Sequence, residues 1–212
     1  MTMMICPALP NIYNFDVIDI GYIISAAMML TAAVIAALLS ARYAADTFKG
    51  NKKKTALCFV GISVCVTLAL ICFFGCAAIT VKGILFALIL TFSSYEDIKR
   101  RECDDYLHLM IVIAAFLGTE FSSVPGMFLS AMFTGGLMLA TMLITKSSIG
   151  GADIKMAAAC SFLLGFSRGV FGLLIGMIPA VAFNIFKKDK KKGFPMIPYL
   201  AVGYMAAYFI QV

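Results

Sequence analysis

Two short segments of this chain each place one aspartate where a long apolar run meets basic residues. Asp97 lies in the segment 95–101 (Tyr-Glu-Asp-Ile-Lys-Arg-Arg), and Asp153 lies in the segment 150–155 (Gly-Gly-Ala-Asp-Ile-Lys). Removing a carboxylate from water is costly, so acids kept at the ends of membrane helices indicate a function that needs them. Two such acids on one side of a bilayer suggest a site built from paired carboxyl groups.

Paired carboxyl groups are suited to aspartyl hydrolysis. One polarises the scissile carbonyl, while the other takes a proton from the attacking water. Two carboxyl groups a few Å apart do not both ionise, because their negative charges repel each other. Proximity therefore raises the pKa of one carboxyl group, and the pair shares a proton. The acid pair activates water itself, so we expect no metal and no organic cofactor.

Each aspartate also has an ordinary structural interpretation. Asp153 at a helix N-terminus could cap free amides, and Asp97 near a helix C-terminus could join a solvated charge cluster. Glu96 points about 100° away from Asp97 on a helix and is expected to be solvated or salt-bridged. Gly150 and Gly151 are expected to permit backbone geometries and close approach that larger residues do not allow.

The composition indicates an integral membrane protein. Of 212 residues, 62% are hydrophobic and 13% are charged, far from the mix of a soluble domain. We predict an all-α, polytopic transmembrane helix bundle that forms a single domain over residues 1–212, with no polar stretch long enough for a separate soluble core. The seven cysteines form no CxxC pair and His108 is the one histidine, which argues against a metal site.

Apolar runs of membrane length predict about eight helices, within a range of six to eight. The predicted runs are 18–43, 56–76, 78–95, 106–121, 127–145, 154–167, 169–186 and 194–212. Two glycine pairs, at 135–136 and at 172 and 176, are expected to lie on helix contact surfaces.

The positions of the basic residues indicate how the predicted helices are oriented in the membrane. Fifteen of the 17 lysines and arginines fall on one side, and only Lys82 and Arg168 fall on the other. This side is expected to face the cytoplasm, with both aspartates on it and both termini outside. The stretch 1–20 has no basic residue and does not resemble a cleaved signal peptide.

The basic clusters at 52–54 and 187–192 are expected to contact anionic lipids. Nucleic acid is not an expected partner, because no aromatic or glycine residues interleave with the lysines.

The aspartate segments resemble the two catalytic motifs of type IV prepilin peptidases and archaeal preflagellin peptidases, membrane aspartyl proteases of the GxGD class. The stretch 194–203 (Phe-Pro-Met-Ile-Pro-Tyr-Leu-Ala-Val-Gly) is also similar to that family's final-helix P-x-x-P-x-L-x-x-G pattern. The resemblance covers roughly residues 78–212. It implies a peptidase of the inner, cytoplasmic membrane that cleaves prepilin-like precursors, each with a basic leader, a glycine before the cut and an apolar helix.

The resemblance also assigns roles to individual residues. Asp97 and Asp153 correspond to the catalytic pair. The remaining motif positions are Gly150, Gly151 and Ala152 in the loop before Asp153, together with Lys99 and Lys155, whose roles the sequence leaves open.

This chain departs from the family pattern in the fourth helix and in two loops. Ala152 replaces the second glycine of GxGD, and Cys103-Asp104-Asp105 stands where the family usually has Ile-Pro-Asn. The second change removes a helix-breaking proline, so the resemblance does not fix the residue at which the fourth helix begins. Asp104 and Asp105 are predicted to be N-caps, and His108 a packing or interfacial residue. Many bacterial members of the family carry a large loop with paired cysteines after the first helix, which is associated with N-methylation. The corresponding loop 42–55 is short and lacks cysteine, so the resemblance implies peptidase activity without methyltransferase activity.

Two other functions remain open from the sequence. A small proton-coupled transporter would place acids near the bilayer midplane and would show inverted halves. An inactive relative could serve as an assembly factor, for which the altered segment 103–105 is the only hint. The oligomeric state and the pilin-like system served are not indicated.

Overall fold

The structure is a computed structural model that describes residues 20–145, 150–186 and 195–210. All regular structure in these ranges is helical, with eight α-helices and one 3-10 turn at Phe121–Ser123. The helices are α1 Ile20–Thr47, α2 Lys52–Phe74, α3 Ala78–Arg100, α4 Asp105–Ala115, α5 Val124–Thr145, α6 Gly151–Leu164, α7 Phe166–Phe186 and α8 Ile197–Phe209. This confirms the predicted all-α class and helix number. The acids and cysteine before residue 20, Lys146 and the basic cluster 187–192 lie outside the described residues.

Two boundary differences lie beside the two aspartates. The third helix, expected to end at 95, continues to Arg100 and ends where Arg101 takes a left-handed conformation with φ of 60°. The sixth helix begins at Gly151, three residues earlier than expected. Asp97 and Asp153 therefore lie within helical turns. The helices extend into these polar segments because neighbouring helices cover the helix ends and supply polar partners, which hydropathy does not reveal.

The fourth helix is shorter than expected, because it ends at Ala115 and not at 121. A turn follows it, with Gly118 at φ of 63°. Eleven residues span only about 17 Å, well short of the roughly 30 Å of a bilayer core.

Four helical segments of the described chain are long and apolar enough to cross a membrane: Ile20–Thr47, Lys52–Phe74, Ala78–Arg100 and Phe121–Ile144. Three shorter apolar helices accompany them: Asp105–Ala115, Phe166–Ala182 and Ile197–Phe209. These apolar helices indicate a membrane protein.

The helix ends gather at two opposite ends of the bundle. At one end, which we call the site end, contacts join the α1–α2, α3–α4, α5–α6 and α7–α8 connections. The side chains of Lys52 and Asp46, of Thr55 and Tyr95, and of Lys155 and Asp105 pair there, and the Ile197 amide binds the Asp97 carboxyl group. At the other end, Lys82 binds Thr119 and Tyr208 binds the carbonyl of Ile79. The helices therefore alternate in direction, and both aspartates lie at the site end.

Helices α4 and α8 connect the two helices that carry the aspartates, because α3 and α6 each pack against both. Glycines hold α8 close to α7. A Cβ atom at Gly203 would overlap the backbone of Gly176, and one at Gly172 would strike Tyr204. The predicted contact surface at 172 and 176 is confirmed. A Cβ at Gly135 would lie 3.2 Å from Ala158, whereas Gly136 faces open space and was wrongly included.

Candidate active site

Asp97 is held by the N-terminus of the last helix. It lies in the final turn of α3, is only 6% exposed, and its Oδ2 accepts a hydrogen bond from the Ile197 amide at 3.0 Å. Ile197 is the first residue of α8, so its amide has no partner within that helix. The helix dipole also favours a carboxylate there. The interpretation of Asp97 as part of a solvated charge cluster is therefore wrong.

Asp153 is the third residue of α6 and is half-buried. Its Oδ2 accepts a hydrogen bond from the Gly150 amide at 3.2 Å, and its own amide donates to the Gly150 carbonyl at 3.1 Å. This reciprocal pair satisfies groups at the helix start, so the capping interpretation is correct for one carboxyl oxygen.

The charge of one aspartate acts on the other. Asp153 precedes the apolar part of α6, and burial raises its pKa from 3.8 to about 6, with a further contribution from the charge of Asp97. The hydrogen bond from Gly150 opposes this shift. A carboxyl group with such a pKa is poised between its protonated and ionised forms close to neutral pH.

The two glycines before Asp153 have different roles. Gly150 has φ of −66° and Gly151 lies within the helix, so the expectation of special backbone geometry is wrong here. Close approach does apply at Gly150, where a Cβ would lie 3.0 Å from Asp153 Oδ2. A Cβ at Gly151 would meet nothing within 4 Å. Residue size therefore matters at the first glycine.

The other motif residues lie around the pair. Ala152 is half-buried, and its carbonyl oxygen lies 3.2 Å from His108 Nε2. Lys155 binds both carboxyl oxygens of Asp105, at 2.7 and 2.9 Å, which lowers the pKa of Asp105. Lys99 lies 5.7 Å from the ring centre of Tyr95.

Glu96 is a site residue that sequence reasoning misjudged. It is 1% exposed, and its Oε2 accepts a hydrogen bond from the Asp104 amide at 3.2 Å. It is neither solvated nor salt-bridged within the described chain. The spacing of Ile89, Phe92 and Glu96 places all three on one buried face of α3. This helical spacing is the sequence pattern that could have predicted the burial of Glu96.

The segment 103–105 starts α4 without a proline. Asp104 is the N-cap residue, as predicted, with φ of −68°, the value that proline imposes. Its side chain makes no capping hydrogen bond. Asp105 is the first helical residue and not a second cap, since its carboxylate binds Lys155. His108 is 7% exposed, which agrees with a packing role.

The arrangement suits acid–base chemistry at one end of the bundle. It offers one buried carboxyl group held by an amide and one half-buried carboxyl group with a raised pKa. Within the described ranges, no three His, Cys, Asp or Glu residues are grouped as ligands for a metal ion. The expectation that no cofactor is needed stays a prediction.

Comparison with protein families gave a match to part of the chain. Residues 84–185 match the model of the type IV leader peptidase family, and this range contains both aspartates. Searches of curated proteins and of solved structures returned no match. The segment 84–185 is thus similar to the type IV leader peptidase family, which indicates a peptidase and confirms the resemblance carried by the two motifs.

Proposed function

We propose that this protein is an aspartyl endopeptidase that cleaves leader peptides from prepilin-like precursors at the cytoplasmic face of the inner membrane. One observation carries the proposal. Two carboxyl groups far apart in sequence, Asp97 and Asp153, lie at the same end of the bundle within electrostatic reach of each other. Both fall within the segment that matches the family.

The environments of the two acids suggest how they divide the reaction. In the proposed step, the ionised carboxylate takes a proton from water, whose oxygen attacks the scissile carbonyl carbon. The protonated carboxyl group donates a hydrogen bond to the carbonyl oxygen, and the amide nitrogen leaves with a proton as the C–N bond breaks. The raised pKa of Asp153 supports Asp153 as the proton carrier at the start of the cycle.

The distribution of charge supports the proposed orientation. Lysines at the start of α2 and the basic residues 99–101 lie at the site end, which favours a cytoplasmic location for that end. A substrate would then keep its basic leader in the cytosol while its apolar segment packs among the enzyme helices. Exposed apolar side chains on the helices and basic residues at their ends also suit contact with anionic lipids.

The proposal is tested by replacing each aspartate with asparagine, which keeps the size of the side chain but does not ionise. Asp97→Asn and Asp153→Asn, purified in detergent and mixed with a prepilin-like substrate, should each lose cleavage while remaining folded by circular dichroism. Asp46→Asn is the matched control, because Asp46 lies at the same end but is exposed and pairs with Lys52. Cleavage by either Asp97→Asn or Asp153→Asn would refute the assignment.

A further inference from the structure

The first turn of α4 contacts the segments on either side of the candidate active site. The Asp104 amide donates to Glu96, which precedes Asp97 in the chain. His108 Nε2 lies 3.2 Å from the carbonyl oxygen of Ala152, which precedes Asp153. We call this set of contacts, from Glu96 through the start of α4 to Ala152, the α4 bridge.

Resting on the proposed function, we propose that Glu96 and His108 are positioning residues that set the separation of the two aspartates through the α4 bridge. In one contact the side chain of Glu96, next to Asp97, binds the start of α4, and in the other the backbone carbonyl of Ala152, next to Asp153, meets His108. A small movement of either contact would therefore move the attached carboxyl group. Both residues are themselves buried, at 1% and 7% exposure, so their geometry is fixed by packing.

The chemistry of each contact defines what a replacement must keep. The Ala152 oxygen only accepts, so the proton of His108 is on Nε2. Glutamine places an amide donor at about the reach of Nε2, while asparagine places one at the shorter reach of Nδ1. At Glu96 the required group is an acceptor, which glutamine keeps and leucine removes.

Other charged groups face the bridge and enter any pH measurement. Asp105 Oδ1 lies 3.9 Å from His108 Nδ1 and is bound by Lys155 from α6. Asp104 lies close to Glu96. At the end of α3, the charge of Arg100 acts on Glu96, and the charge of Arg101, which follows the helix, acts on Asp97.

The experiment compares His108→Leu and Glu96→Leu with His108→Gln and Glu96→Gln in a cleavage assay over a range of pH. We expect the leucine variants to lose roughly 10- to 100-fold in kcat with KM changed less than about threefold, since misplacement of about 1 Å costs that much. The glutamine variants should recover most of this loss. In the leucine variants the upper limb of the pH profile should move to lower pH, because separated carboxyl groups influence each other less.

Tyr208→Phe is the matched control, because it removes a partly buried hydrogen bond to α3 at the opposite end of the bundle. It should lower thermal stability without moving the pH profile. The same shift in Tyr208→Phe would show a general effect of destabilisation and would overturn the inference. Unchanged kcat and pH profile in both leucine variants would also overturn it.

Two further measurements keep the outcome decisive. If His108→Leu does not fold, His108→Asn takes its place and should show the loss of kcat expected for His108→Leu. Equal activity of His108→Asn and His108→Gln would refute the positioning role of the α4 bridge. Titration of 13C-labelled Asp153 by NMR, without substrate, should give a lower pKa in the His108 variants that break the contact. This test stands even if Asp97→Asn retains cleavage and the proposed function fails.

Discussion

Replacing Asp104 by proline, compared with replacing it by alanine, isolates a single backbone amide of the site. The φ of −68° at Asp104 already suits proline, so the change removes the N–H that binds Glu96 and leaves the local conformation in place. Losing a hydrogen bond to a buried carboxyl group costs about 1–3 kcal/mol. The stiffer unfolded chain offsets about 0.4–1 kcal/mol of that. We expect Asp104→Pro to lower the free energy of unfolding by about 1–2 kcal/mol, which for this chain length lowers Tm by roughly 2–8 °C.

The assay is reversible unfolding in mixed detergent micelles, arranged as a double-mutant cycle with Glu96→Leu. In the Glu96→Leu background the amide no longer serves a carboxyl group, so Asp104→Pro should be neutral or slightly stabilising. Asp104→Ala keeps the backbone N–H. It removes no capping interaction either, because the Asp104 side chain makes no capping hydrogen bond, so it should change the free energy of unfolding by less than about 0.5 kcal/mol. An equal cost of Asp104→Pro in both backgrounds would refute the reasoning.

Two further predictions concern Asp153 and the α7–α8 contact. The pKa of Asp153 is raised to about 6 in the folded protein, so its contribution to stability is complete below its ordinary value of 3.8 and is lost as pH rises through about 6. Asp153→Asn should therefore gain about 1–3 kcal/mol over wild type at pH 8 but little at pH 4, measured by chemical unfolding, and a pH-independent difference would contradict the raised pKa. Gly203→Ala should cost about 1–3 kcal/mol through overlap with Gly176, whereas Gly136→Ala, which faces open space, should cost nothing; equal stability of the two variants would contradict the close contact.

Hydropathy and charge predicted the fold well because both report on the surroundings of whole helices. Long apolar runs have no stable alternative to helices in a bilayer, and basic residues mark the ends that stay on one side. These two rules placed Asp97 and Asp153 at one end of the bundle. The two rules failed to predict the helix ends. Polar residues there have the low hydropathy of a loop, yet they continue the helix because other helices supply their partners.

The contacts of the site were less predictable than its aspartates. Chemistry and spacing identify acids, but Ile197 is 100 residues from Asp97 and donates through its backbone, which no side-chain pattern encodes. His108 was recognised as a packing residue, yet its hydrogen bond to Ala152 depends on how α4 lies against α6. Glu96 was judged by its charge and by its angle from Asp97, although its spacing from Ile89 and Phe92 places it on the buried face of α3.

The amide that binds Asp97 has a consequence for biosynthesis. A ribosome must add a further hundred residues after this aspartate before Ile197 exists, and the segment matching the peptidase family ends at 185, ahead of it. A nascent chain halted short of the final helix would carry both acids but leave Asp97 without that donor. Completion of the candidate active site is thereby coupled to synthesis of the last helix.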